Sequence, residues 1–224
     1  MCTVVTRWAA NEPVQVLAIR DEFVSRDFDA PGEWWPDQPG VVGGRDRQAG
    51  GSWCVTDVAS GATALVLNRT EKHTGHPSRG VLPLAAVAFG EAWPQRVEHR
   101  EMASFTLVLA APDGVTAWAW DAEQLRRIEL DAGTHVFTSR AIDDGDEKAA
   151  LLRPQFETRP WLDVVTAREP ADDRTALIVR HEFETDAYAT VFGQLITATP
   201  GELRVTYSRT PWIASSWTDA RWPR

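Results

Sequence analysis

The chain has 224 residues and 24.9 kDa, with 23 basic against 32 acidic side chains and a formal net charge of −9. A pI near 5.1 argues against a nucleic-acid partner, because that affinity comes largely from neutralised phosphates, and no apolar run approaches the ~20 residues that span a bilayer. The apolar share of 43% and charged share of 25% exclude a disordered chain, and at this length one large or two small domains are open.

In chain order, Cys2 to Trp8 is β-rich and Val14 to Ala18 is a second apolar run. With Asn11-Glu12-Pro13 as the turn between them, the opening reads as a hairpin. That hairpin brings Arg20, Asp21 and Glu22 back beside Cys2. Residues 25 to 50, rich in Pro, Gly, Asp and Trp, read as loop. Gly51 to Val58 and Ala62 to Asn68 read as strands joined at Ala59-Ser60-Gly61. A polar loop follows from 70 to 80, holding His73 and His76, and then an alanine-rich helix from Val81 to Phe89 closed by Gly90.

From Phe105 the pattern becomes a meander: Phe105–Ala110, Val115–Trp120, Leu125–Leu130 and His135–Thr138. Asp144 with Glu147 reads as a capping pair opening a helix through about Phe156, and Pro160 starts a second helical stretch to about Arg168. Tyr188–Thr197 and Leu203–Arg209 form a last hairpin through Pro200-Gly201, leaving a polar tail. Strands open and close the chain and helices interrupt it, which is an α+β layout of mostly antiparallel sheets covered by helices. No linker divides it, so residues 1–224 are read as one domain.

The cysteines are two, Cys2 and Cys54. No basic-then-apolar leader precedes Cys2, so the chain is expected in the cytoplasm, where structural disulfides are rare. Two cysteines are too few for a cysteine zinc site, and no metal or cofactor is expected. Cys54 lies inside a strand and reads as a small buried hydrophobe.

Cys2 carries more chemistry. Once Met1 is removed it presents both a thiol and a free α-amine, and that amine, with a reference pKa of about 7.7–8.0, can accept the thiol proton. Arg20 would favour the thiolate and Asp21 could orient the ammonium group. Spacing alone also fits a small residue opening an edge strand next to a surface ion pair.

His73, His76 and His99 stand in polar surroundings without a cysteine or carboxylate pattern, which fits a solvated loop better than a metal or haem site. His135 and His181 read as strand residues. The run Asp143-Asp144-Asp146-Glu147 lacks the ligand order of a calcium loop. Of 11 tryptophans, Trp53, Trp118 and Trp120 sit in strand patterns. Trp34 and Trp35 in the Pro/Gly loop, and Trp212, Trp217 and Trp222 in the tail, either wall a ligand pocket or plug the ends of the fold.

The order of motifs is specific when taken together. Met1-Cys2-Thr3 leads to Leu17-Ala18-Ile19-Arg20-Asp21-Glu22-Phe23, then Ser25-Arg26, Trp34, Gly43-Gly44-Arg45-Asp46 and Gly50-Gly51-Ser52-Trp53. Ala64-Leu65-Val66-Leu67-Asn68 and Ser78-Arg79-Gly80 follow. This order resembles the NRDE family, also called the transport-and-Golgi-organisation family, most strongly over residues 1–90.

The resemblance implies a four-layer αββα sandwich of the N-terminal-nucleophile-hydrolase kind, with Cys2, Arg20 and Asp21 in the positions of the catalytic residues. Asn68 falls where a polar residue would support an oxyanion, and Arg79 joins Trp34 and Trp35 as a candidate ligand-binding residue. Members of the family are linked to haem handling and to lipid or acyl-thioester metabolism. Three positions depart from the pattern: Ile19 replaces the leading Asn of the family motif, Arg140 stands where an Asn aligns, and Tyr188-Ala189-Thr190 lacks an arginine. Two readings follow. One is an N-terminal-cysteine amide or acyl hydrolase, or a repurposed relative, acting on a small molecule. The other is a binding or trafficking protein for a hydrophobic ligand such as haem or an acyl thioester.

Overall fold

The computed structural model describes residues 2–72 and 74–223, of Pro223 the backbone alone. Its strands are β1 (Thr3–Trp8), β2 (Val14–Phe23), β3 (Phe28–Gly32), β4 (Val41–Asp46), β5 (Cys54–Asp57), β6 (Ala62–Asn68) and β7 (Phe105–Ala111). They continue as β8 (Gly114–Trp120), β9 (Leu125–Leu130), β10 (Gly133–Phe137), β11 (Arg180–Glu182), β12 (Ala187–Thr199), β13 (Glu202–Ser208) and β14 (Thr218–Pro223). The α-helices are α1 (Val81–Phe89), α2 (Glu147–Thr158) and α3 (Trp161–Thr166).

Two antiparallel sheets result. The first runs β10-β1-β2-β12-β13-β14 with β11 also paired to β12, and the second runs β3 through β9 in chain order. Strands β1 and β2 are buried along most of their length because both faces of the sheet are covered. With side chains alternating, Val4, Val16 and Ala18 meet Leu65, Leu67 and Val108 between the sheets. Val5, Leu17 and Ile19 face the other way, onto Leu152, Phe156, Trp161 and Val164 of α2 and α3. Ala64 and Leu107 of the second sheet pack against Leu82, Ala85 and Ala86 of α1. The order of layers is helix, sheet, sheet, helix. No helix among the described residues is long and apolar enough to cross a membrane.

The opening hairpin forms as expected, pairing Thr3 with Ile19 through Arg7 with Gln15, and Asn11 takes a positive φ of 64° in its turn. The helix at Val81–Phe89, the meander and the last hairpin also form where the pattern put them. Four readings are corrected. Residues 25–50, expected as loop, contain β3 and β4. The glycines that suggested a loop are there for close packing: a Cβ on Gly44 would lie 2.3 Å from the Trp53 ring, and one on Gly43 would lie 2.4 Å from the Cys54 carbonyl oxygen. Pro31 is tolerated because β3 is an edge strand with an irregular register between Asp29 and Gly32.

The polar tail is not a tail. It forms β14 on β13, and Trp222 packs against the inter-sheet core while Trp212 and Trp217 pack against the helix-side cluster. The strand expected from Gly51 begins only at Cys54, since Gly51 and Ser52 bend to meet the loop before α1, where Ser52 N donates to the Gly80 carbonyl at 2.9 Å. The Asp144–Glu147 capping pair does not form. The residue before α2 is Asp146, and its carboxylate accepts from Thr138 Oγ1 at 2.8 Å rather than capping the helix.

Candidate active site around Cys2

The hairpin register, carried one step beyond Thr3 and Ile19, sets Cys2 beside Arg20, and the Cys2 Sγ lies 3.7 Å from the Asp21 carbonyl oxygen. Alternation along β2 sends Arg20 to the inter-sheet face with Ala18, and Asp21 to the helix face with Ile19. The two side chains that flank Cys2 therefore belong to different surroundings.

Arg20 is 4% exposed, and its guanidinium lies 4.6 Å from the Trp53 ring centre and 5.0 Å from that of Phe28. Its charge is met by Glu22 at 3.7 Å and Asp46 at 4.0 Å. Burial lowers its pKa while Cys2, Glu22 and Asp46 raise it, so a guanidinium remains a cation there.

Asp21 is held from the far side by β12, where it pairs with Thr190 in the ladder. Thr190 Oγ1 accepts from Val179 N at 3.0 Å, which turns its hydroxyl proton towards Asp21 Oδ1 at 2.6 Å. The Tyr188 hydroxyl donates to the Asp21 carbonyl at 3.0 Å. Burial pushes the Asp21 carboxyl up, and the buried Lys148 of α2 together with the Thr190 hydrogen bond pulls it down. At Cys2, burial is the largest influence and raises the thiol pKa; the Asp21 charge adds to this and Arg20 opposes it. A thiol so placed is protonated at neutral pH and needs a base before it can attack.

A cleft of about 110 Å³ opens over Cys2, Arg20 and Asp21. Glu22, Arg26, Asp46, Ser52, Trp53, Asn68, Ser78 and Arg79 also line it. Asp46 Oδ1 accepts from Gln48 N and Ala49 N, each at 2.9 Å, and Oδ2 accepts from Arg26 Nε at 2.7 Å, which ties the loop after β4 over the opening. These donors hold the Asp46 carboxyl below its ordinary pKa against the opposing effect of burial. Arg79 Nη1 donates to the Ser104 carbonyl at 2.9 Å, and Gly51 approaches Gly80 so closely that a Cβ would lie 2.5 Å from its carbonyl carbon.

Cys2, Arg20, Asp21, Asn68 and Arg79 line one cleft. Trp34 and Trp35 do not line it. The Trp34 indole donates to the Ala30 carbonyl at 3.0 Å under the Arg45 guanidinium, and that of Trp35 donates to the Gly50 carbonyl at 3.1 Å. The cleft wall is Trp53, which the strand pattern assigned to the core. Glu22 lies beside Cys2 as the hairpin implied, whereas Arg26, Asp46, Thr190, Tyr188 and Lys148 were not anticipated. Lys148 had a readable signal: it shares the apolar stripe of α2 with Leu152 and Phe156 at steps of four.

Of the three departures, Ile19 faces the helices rather than the cleft, Arg140 is exposed elsewhere, and Ala189 is buried opposite Glu22. Cys54 is buried, and burial pushes its thiol up. His99 sits edge-on to Trp93 and Trp120, and His135 Nδ1 bonds Asp143 Oδ2 at 2.7 Å. Both His73 and the Met1 whose removal the mechanism requires lie outside the described residues. Among the described residues no three His, Cys, Asp or Glu side chains gather as metal ligands would.

Two antiparallel sheets packed face to face between helical layers, with a cysteine leading into the first strand, define the N-terminal-nucleophile-hydrolase fold. The chain is similar to the crystal structure of the C2A mutant of conjugated bile acid hydrolase from Clostridium perfringens, with a TM-score of 0.58 at 9% identity over 100% of this chain and 92% of that one. At that identity the likeness is one of fold. The family model for Transport and Golgi organisation 2 matches residues 1–191, and the chain belongs to this family, the same one that the NRDE motifs indicate. No curated protein matches it.

Proposed function

We propose that the protein is an N-terminal-cysteine hydrolase of an amide or acyl bond in a small molecule, or a repurposed relative that keeps the same nucleophile. The observation that carries this reading is the convergence of Cys2 with Arg20, Asp21, Asn68 and Arg79 on one cleft from separate stretches of chain. After removal of Met1, the α-amine of Cys2 takes the thiol proton and the sulfur attacks the carbonyl carbon. Asn68 and backbone N–H groups hold the developing oxyanion. The leaving group departs with the proton carried by the amine, and water then hydrolyses the acyl–sulfur bond to regenerate the thiol. Arg20 stabilises the thiolate, and Asp21, oriented by Thr190, positions the ammonium.

The size of the cleft favours this reading over storage of a flat hydrophobic ligand. At about 110 Å³ it lies well under the roughly 300–1,000 Å³ of pockets that enclose a drug-sized molecule, and charged side chains ring it. It holds a reacting group and leaves the rest of a substrate outside. The same reading assigns the protein to the reducing cytoplasm, where both cysteines stay thiols.

Intact mass followed by timed alkylation tests it. Loss of Met1 and modification of Cys2 much faster than Cys54 are expected; a retained Met1, or equal rates at the two cysteines, would refute the mechanism. Saturable binding of haemin, read from its absorbance band, would favour the trafficking alternative.

A further inference from the structure

A second cleft, of about 250 Å³, opens where β10 runs into α2, and it shares no lining residue with the cleft over Cys2. Ser139 and Lys148 line it, and they are 4% and 3% exposed. The Ser139 Oγ and the Lys148 Nζ are both buried and make no hydrogen bond among the described residues.

A lysine Nζ buried without a hydrogen-bonding partner leaves donors that a group entering the cleft from outside can satisfy. The acidic residues that line the same cleft are already engaged. Asp146 accepts the Thr138 hydroxyl at 2.8 Å, and Glu147 lies 3.2 Å from Arg174. Because Asp146 serves Thr138, no side chain caps α2, whose twelve residues end their positive dipole at this point. Asp21 acts on Lys148 electrostatically but forms no hydrogen bond with its Nζ.

We propose that this cleft binds an oxyanion, a carboxylate or phosphate group, with the Lys148 ammonium and the Ser139 hydroxyl as donors and the first turn of α2 adding its dipole. An anion with two or more acceptor oxygens satisfies both orphaned donors at once and neutralises the buried charge. The site shares no lining residue with the cleft over Cys2, although Lys148 and Asp21 act on one another electrostatically.

Calorimetric titration of the whole chain with inorganic phosphate, and separately with acetate at the same ionic strength, tests the site. Saturation by phosphate alone assigns a phosphoryl group, and saturation by acetate assigns a carboxylate. In either case Lys148→Met should weaken binding by about tenfold or more and Ser139→Ala by about threefold. Failure of both anions to saturate the wild-type chain would overturn the proposal. So would affinities unchanged in Ser139→Ala, a variant that keeps the proposal falsifiable should Lys148→Met not fold.

Discussion

Cys2 sits between two groups of opposite influence, and their separation onto two faces of one strand lets each be changed alone. Arg20, on the inter-sheet face, lowers the thiol pKa; Asp21, on the helix face, raises it. Arg20→Met should therefore move the pH profile of Cys2 alkylation to higher pH and slow the reaction at neutral pH. Asp21→Asn should move the profile to lower pH and speed the reaction, while hydrolysis by the same variant falls. Rates against iodoacetamide from pH 6 to 10, with Cys54 as internal reference, check both signs; shifts in one direction for both variants would contradict the electrostatic account. The Arg20-Asp21 pair was visible in the sequence because two adjacent charges close an apolar run. The partners of that pair were not. Thr190 is an ordinary β-branched strand residue until the ladder sets it opposite Asp21, and Trp53 resembles any core aromatic until Arg20 lies over it.

Among the elements, the strands that alternate or run apolar were legible and the ones built for close approach were not. β4 reads as a breaker segment because Gly43 and Gly44 occupy it, yet both are required by neighbours rather than by a turn. Gly44→Ala forces the Trp53 ring away from the position it holds beside Arg20. A loss of about 1–3 kcal/mol in denaturant stability is expected, the range for overpacking a filled core, together with slower Cys2 alkylation. Unchanged stability would show that the ring has room to move. The same element logic explains the missing capping pair at α2: Asp144 and Glu147 have the right spacing, but the side chain next to the helix start is Asp146, and the Thr138 hydroxyl claims it.

For the whole molecule, the decisive contact joins the two ends of the chain. β12 pairs with β2 along most of its length, from Tyr188 opposite Phe23 to Ala198 opposite Val14, and it brings the side chain that holds Asp21. The family match ends at residue 191, within this strand, while β13 and β14 lie beyond it. They still supply Leu203, Val205 and Trp222 to the inter-sheet core. A chain ending at Pro200 would expose the outer edge of β12 and lose those side chains, at about 1.5–3 kcal/mol for each one fully buried. It is expected to be insoluble or to unfold at much lower denaturant than the full chain, and a truncated chain of undiminished stability would show that the last two strands are dispensable.

Local chemistry is written in local order, and to that extent the sequence by itself determined a great deal. Alternation and turn residues set the opening hairpin, the meander and the closing hairpin, and the motif order from Cys2 to Gly80 marked the family and named five residues of the cleft. What only the tertiary structure decided depends on residues far apart in the chain: which face of β2 each charge takes, Thr190 and Lys148 behind Asp21, Trp53 in place of Trp34 and Trp35, and a second cleft lined by Ser139 and the Lys148 Nζ. The physical reason is that a side chain's surroundings in a four-layer sandwich are set by sheet register and layer packing. Neither is encoded within the ten or so residues over which periodicity can be read.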